Sequence, residues 1–216
     1  MQVSLPGPNH DKLELLDLFK AAGTIQNFEA GSLVSRFDDD ESRIFLILTG
    51  TLTVHVVDQV DDSELTISHL VPMDLFGLFE QPVEAGLNAI DLFAQAKTNC
   101  TVIEIKKSDL LAIGASSPGV LMTVCSELSR LLLDIIKKVG QFAFYGVRGR
   151  VSSALMDLCA LPEASTHSQG VVLINTRTEI ASMAGCTREM VGRILKELSA
   201  EGVITARGRQ IIVHAS

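Results

Sequence analysis

Residues 176–215 read "TRTEIASMAGCTREMVGRILKELSAEGVITARGRQIIVHA", and how this stretch folds decides how the rest of the chain is read. Thr176 and Glu179 have the T-x-x-E spacing of a capping box, in which the hydroxyl accepts the backbone N–H three residues on and the carboxylate reaches back. A helix over about 177–184 is expected, ending at Gly185, which allows a sharp turn. Thr187 is then the N-cap of a second helix over 188–200, stopping at Gly202. Two short helices joined by a glycine turn make a helix-turn-helix. Beyond them, two β-type runs flank Arg207-Gly208-Arg209 and read as a hairpin.

With successive residues about 100° apart, Val191, Ile194, Leu195 and Leu198 fall on one side of the second helix. Arg188, Glu189, Arg193 and Lys196 gather on the other. Arginine can bond O6 and N7 of guanine together, and glutamate can accept from N4 of cytosine. The first turn of such a helix is where base edges are met. A solvated helix face would carry similar charges, but the tight turn before it and the basic hairpin after it favour duplex DNA.

The charge distribution agrees. The 216 residues carry a net −8, unevenly placed. Residues 1–110 hold 7 Lys and Arg against 18 Asp and Glu, and residues 111–216 hold 11 against 8. A polyanion would therefore meet the C-terminal half. With 47% hydrophobic and 20% charged residues, one or two globular domains are expected. No run approaches the roughly 18 apolar residues of a membrane span, and the start lacks a secretory pattern. A cytoplasmic protein without a membrane partner is expected. Cys100, Cys125, Cys159 and Cys186 form no C-x-x-C pair, so an iron–sulfur cluster lacks its ligands and buried, reduced thiols are expected. The five histidines show no i, i+4 pairing, and no metal site is expected.

Along the chain, 11–22 has helical spacing and stops at Gly23. From about 25 to 105 the texture turns to short β-runs: "RIFLILTG", "TLTVHVVDQ", "SELTISHLV", "IDLFAQAKT" and "CTVIEIKK". Turn material such as 38–40 and 61–63 separates them, as in a rolled antiparallel sheet. A short helix is expected over 108–114, broken by "SSPG". The periodic segment that follows runs to Phe144. Its apolar residues Leu121, Val124, Leu128, Leu131, Leu132, Ile135, Val139 and Phe142 recur at steps of three and four. That spacing fits a dimer seam, to which we assign Leu121, Leu128, Leu132, Ile135 and Val139. A helix packed on its own domain gives the same pattern. "YGVRGR" (145–150) reads as a hinge, 151–161 as a helix, 162–170 as a loop and 171–175 as a strand.

The 176–215 stretch closely resembles the winged helix-turn-helix of the cyclic-AMP receptor (catabolite activator) and fumarate–nitrate regulator family of bacterial transcription factors. The similarity continues through "KKVGQFAFYGVRGR" and the strand-rich half, covering nearly the whole chain. It implies an α+β fold: an N-terminal antiparallel β-roll of the cyclic-nucleotide-binding type (1–117), a long dimerisation helix (118–145) and a C-terminal winged helix-turn-helix (146–216). It further implies that Arg188, Glu189 and Arg193 read a TGTGA-type half-site. Arg177, Thr187, Gly208 and Arg209 match phosphate-contacting positions, and Arg148 lies near another.

The sensor half departs from the family pattern. A cyclic-nucleotide pocket needs a carboxylate for the ribose and an arginine with a hydroxyl for the cyclic phosphate. Aligned on "GLFE" and "AKT", the chain has Leu75 in place of the glutamate, Ile90 in place of the arginine and Asp91 in place of the serine. Ile135 and Ile136 replace a hydroxyl pair. Losing a charge-assisted arginine–phosphate bond alone costs roughly 1.5–3 kcal/mol. Cyclic AMP is therefore not expected as effector, and no cofactor is expected. Two readings stay open: a dimer that needs no ligand, and a pocket for another small molecule such as cyclic di-GMP. A β-roll binding module with vestigial DNA contacts is the alternative of a different class. No nucleophile–base pair or phosphate loop points to an enzyme.

The expected partners are double-stranded DNA, a second copy of the chain, and RNA polymerase. For the last, Thr166, His167 and Gly170 match a family contact loop, which a plain solvated loop would equally explain. Ser168 and Gln169 depart from it. A second polymerase patch would fall near Thr24 and Gln26, without the expected basic character.

Overall fold

The computed structural model describes residues 8–36, 43–78 and 90–215. The acidic turn at 38–40, and Phe79 and Glu80 of the pocket segment with the residues up to 89, lie outside the described residues. Two compact units form, one from 1–54 with 70–134 and the other from 55–69 with 135–216.

Helix α1 (Pro8–Ala22) leads into strands β1 (Thr24–Phe28), β2 (Leu33–Arg36), β3 (Arg43–Thr49), β4 (Leu52–Asp58), β5 (Glu64–Leu70), β6 (Leu75–Leu78), β7 (Ile90–Ala96) and β8 (Cys100–Lys106). They build two four-stranded sheets, ordered β1-β8-β3-β6 and β2-β7-β4-β5. The residues of β3 explain the layering. Its side chains alternate across the sheet, and both faces are apolar. Ile44 and Leu46 join a core with Leu15 and Phe19 of α1, while Phe45 and Ile47 join a second core with Leu52 and Phe76. Phe45 stacks on Phe76 with ring centroids 4.7 Å apart.

Helix α2 (Lys107–Ser116) is followed by its C-cap Ser117, and Pro118 opens the long helix α3 (Pro118–Phe144), at a position where its missing N–H costs nothing. The sequence pattern had merged two stripes of α3. Val120 and Val124 are buried in the first unit's core, with Leu121 and Leu128 packed against it. A Cβ on Gly114 would meet the Leu121 side chain. Leu121 and Leu128 thus pack within their own chain, which narrows the seam assignment. The exposed stripe runs instead through Met122, Cys125, Leu132, Ile136 and Val139, at alternating steps of three and four once Ser129 is included. Glu127, a charged residue of the same helix, is buried. Its carboxylate meets Lys12 Nζ at 2.7 Å and Arg130 Nε at 3.2 Å, and Arg130 also reaches Asp74 at 2.5 Å.

In the second unit the hinge is shorter than "YGVRGR". Helix α4 (Val147–Cys159) already includes Arg148, Gly149 and Arg150. The expected loop at 162–170 is partly strand: β9 (Ser165–His167) pairs antiparallel with β10 (Gly170–Ile174), His167 opposite Gly170. Helices α5 (Arg177–Ala184) and α6 (Arg188–Ala200) follow, then β11 (Ile204–Arg207) and β12 (Gln210–His214), in a sheet ordered β11-β12-β10-β9. Ser182 of α5 shares a hydrogen bond with Thr66 at 2.8 Å. The strands that the sequence pattern missed, β1, β2, β6 and β9, all lie at sheet edges. Three to five residues long, they are too short to show an alternation.

Candidate nucleic-acid interface

Each local device read from the sequence is present. The Thr176 hydroxyl accepts from Glu179 N at 3.1 Å, and the Glu179 carboxylate accepts from Thr176 N at 2.5 Å. Gly185 has φ +55°. Thr187 Oγ1 caps α6 by accepting from Met190 N at 3.3 Å. Val191, Ile194, Leu195 and Leu198 are buried with Leu155, Leu158 and Ile180. The underside of α6 is thereby fixed, and Arg188, Glu189, Arg193 and Lys196 face outward as exposed side chains. Glu189 is held below the usual carboxylate range, first by its own backbone N–H and then by the Thr187 hydroxyl. It is ionised at neutral pH and can only accept, as contact with a cytosine amino group requires.

The positions assigned to phosphate divide. Arg177 is exposed at the start of α5. Gly192 is buried in α6, and a Cβ there would stand 3.3 Å from Arg177 Nη1. Thr187 accepts from Met190 N, and its hydroxyl also bonds the Glu189 carboxylate. Gly208 and Arg209 form the two-residue turn after Arg207, which pairs with Gln210, and Gly208 has φ +61°. Arg148 is different, because its guanidinium forks onto Glu201 at 2.8 and 2.5 Å. It would have to leave that carboxylate to grip a phosphate. Glu197 also lies 4.0 Å from Arg148 and 3.9 Å from Arg193. Sequence reading passed over Glu197 and Glu201, because the i, i+4 step from Arg193 gives no hint of an arginine on α4.

Of the residues expected at a degenerate pocket, Leu75 is a core residue, paired with Leu46 across the sheet. Ile90 opens β7, and its side chain lies outside the described residues. Asp91 is partly buried in the same strand. Ile135 and Ile136 are exposed at 36% and 55%. Among the candidate polymerase residues, Thr166 and His167 are exposed on β9, and His167 Nδ1 accepts from Gln169 N at 3.2 Å. Cys100 is buried, Cys159 and Cys186 are partly so, and Cys125 is exposed, so the expectation of buried thiols fails at Cys125. Among the described residues no group of His, Cys, Asp and Glu could hold a metal, and no helix is long and apolar enough to cross a membrane.

Residues 149–215 match the Crp-like helix-turn-helix domain. Over 208 residues the chain is 34% identical to the cAMP-activated global transcriptional regulator Vfr of Pseudomonas aeruginosa, covering 95% of this chain and 96% of Vfr. It is 32% identical over 204 residues to the cAMP-activated global transcriptional regulator CRP of Salmonella typhimurium, covering 93% and 94%. Its fold matches the c-di-GMP responsive global regulator CLP of Xanthomonas campestris with a TM-score of 0.80 and 28% identity, over 94% of this chain and all of that one. The fold and the outward face of α6 define a DNA-binding transcription regulator rather than an enzyme. The chain belongs to the Crp/Fnr family of bacterial transcription regulators.

Proposed function

We propose that the chain acts as a homodimer, reading a TGTGA-like palindrome through two copies of α6 and working without cyclic AMP. The observation that carries this reading is the outward placement of Arg188, Glu189 and Arg193 above a buried apolar face. Arg177, Thr187, Gly208 and Arg209 would hold phosphates on either side, and Arg148 would join them once released from Glu201. The exposed apolar stripe of α3 supports a second copy as the partner, because such a stripe along a helix is covered in a stable assembly. The division into a sensor (1–117), a dimerisation helix (118–145) and a DNA-binding part (146–216) belongs to the same proposal, as does a cytoplasmic location. So does polymerase contact through Thr166, His167 and Gly170.

The apolar character of Leu75, Ile135 and Ile136 supports independence from cyclic AMP. The similarity to the c-di-GMP responsive CLP favours a second reading, in which that dinucleotide is the signal. Titration of the palindrome and a scrambled duplex at several salt concentrations tests DNA reading. Preferential binding of the palindrome without added nucleotide is the expected result, and equal affinity for the two duplexes would refute it. Calorimetry with cyclic AMP and cyclic di-GMP separates the effector readings. Tight cyclic-AMP binding would overturn ours.

A further inference from the structure

Whatever α6 reads, its direction is set by the three residues before it, Gly185, Cys186 and Thr187. An α-helix leaves its last four carbonyls without partners inside the helix, and α5 ends at Ala184, immediately before this turn. The turn itself satisfies one of them, since Gly185 N and Cys186 N both donate to Ala181 O. Side chains from other helices reach the carbonyls that follow. Lys138 of α3 donates from Nζ to Met183 O at 2.6 Å. Arg150 of α4 donates from Nε to Ala184 O at 2.8 Å and from Nη2 to Gly185 O at 3.3 Å. Its Nη1 reaches Tyr145 O at 3.1 Å.

Phe142 completes the grip. The Arg150 guanidinium lies over the Phe142 ring, 5.1 Å from its centroid, and a Cβ on Gly185 would stand only 2.5 Å from Phe142 Cε1. The turn is therefore gripped between one aromatic ring and two cations at the end of α5 where positive charge is favourable. Ordinary capping does not need this arrangement, because water or the left-handed glycine serves the same carbonyls at no cost in buried charge. Lys138 is half-buried, and that burial pulls its ammonium below the usual range, with Asp157 opposing.

We infer that Lys138 and Arg150 are positioning residues for DNA reading. By holding carbonyls 183–185 they fix the line along which α6 leaves the turn, and with it the aim of Arg188, Glu189 and Arg193. Bidentate contacts to base edges need geometry held within about 0.5 Å and 10–20°, whereas attraction to the phosphate backbone does not. Loosening the grip should cost sequence discrimination before it costs affinity for DNA in general. The inference rests on α6 being the base-contacting element.

The test uses full-length protein and the variants Lys138→Met, Arg150→Met and Arg150→Lys. Affinities are measured for the palindrome and for a scrambled duplex at one salt concentration, and exchange of the Cys186 amide hydrogen is followed without DNA. Each methionine variant is expected to lower the palindrome-to-scrambled ratio about tenfold, with scrambled binding changed less than about twofold. The Cys186 amide should exchange about tenfold faster, and Arg150→Lys should recover part of the ratio by covering one carbonyl. Equal losses on both duplexes, or an unchanged ratio, would overturn the inference, as would an unchanged amide. Should Lys138→Met fail to fold, Arg150→Met carries the test alone and is judged by the same ratio. If the wild-type protein itself does not distinguish the duplexes, the DNA reading fails first. A discriminating wild type with an unchanged Lys138→Met ratio is the failure of the inference alone.

Discussion

Helices α6 and α3 are both amphipathic, and they teach opposite lessons. In α6 the large aliphatic residues Val191, Ile194, Leu195 and Leu198 form one buried stripe, and the charged face is outward. In α3 the apolar residues occupy more than half the circumference. One stripe is buried in its own core and another is exposed, with a buried Glu127 among them. A helix that packs on one side announces that side by its periodicity. A helix with apolar residues on two sides does not say which is which.

The largest effect that would break this comparison is expected at the joint before α6. Gly185→Ala forces a side chain into left-handed backbone, costing roughly 1–2 kcal/mol, and drives Phe142 from its seat. The two together should lower stability by about 3 kcal/mol or more, measured by denaturant unfolding. A loss below about 1 kcal/mol would mean that the turn is not gripped.

On α3, Leu121→Asp and Ile136→Asp should separate the two stripes. The first places a charge against the first unit's core and should cost about 2–3 kcal/mol of stability. The second should leave unfolding of the isolated chain nearly unchanged while shifting the proposed dimer toward monomer in sedimentation. If both behave alike, the stripes are not distinct.

On α6, Arg193→Ala should lose roughly 1–3 kcal/mol of discrimination at one base position, with little change in stability. Gel-shift titration over a panel of single-base variants of the palindrome measures it. An unaltered profile would remove Arg193 from the base readers.

Smaller effects test the charges. Glu127 is opposed by burial, but hydrogen bonds from Lys12 and Arg130 outweigh it and hold the carboxyl below the usual range. Its contribution to stability is therefore present above the unfolded carboxylate value of about 4.3 and is lost as pH falls through the lower folded value. Glu127→Gln should destabilise the chain at pH 7, and the difference from wild type should fade below about pH 4. The smallest change is expected for Glu201→Gln, which frees Arg148. Affinity for DNA should rise about two- to threefold, with a steeper salt dependence from the added phosphate contact. Unchanged affinity and slope would mean that Arg148 does not reach DNA.

The winged helix-turn-helix was legible because its signals are short in range. Capping hydroxyls, a carboxylate three residues on, a left-handed glycine and a single apolar stripe all act within a few residues of chain. The edge strands were not, since pairing with a neighbour rather than their own composition makes them strands. The apolar character of Leu75 was plain in the sequence, but its burial against Leu46 was not.

By itself, the sequence determined the helix-turn-helix, its boundaries and the outward charges of α6, because local hydrogen bonds and one helical period settle them. Tertiary structure alone decided which face of α3 is covered, that Glu127 is buried on Lys12, that Arg148 is held by Glu201, and that Lys138 and Arg150 hold the end of α5. Each of these depends on groups brought together from more than 30 residues away, and no periodicity in a chain encodes a partner at that distance.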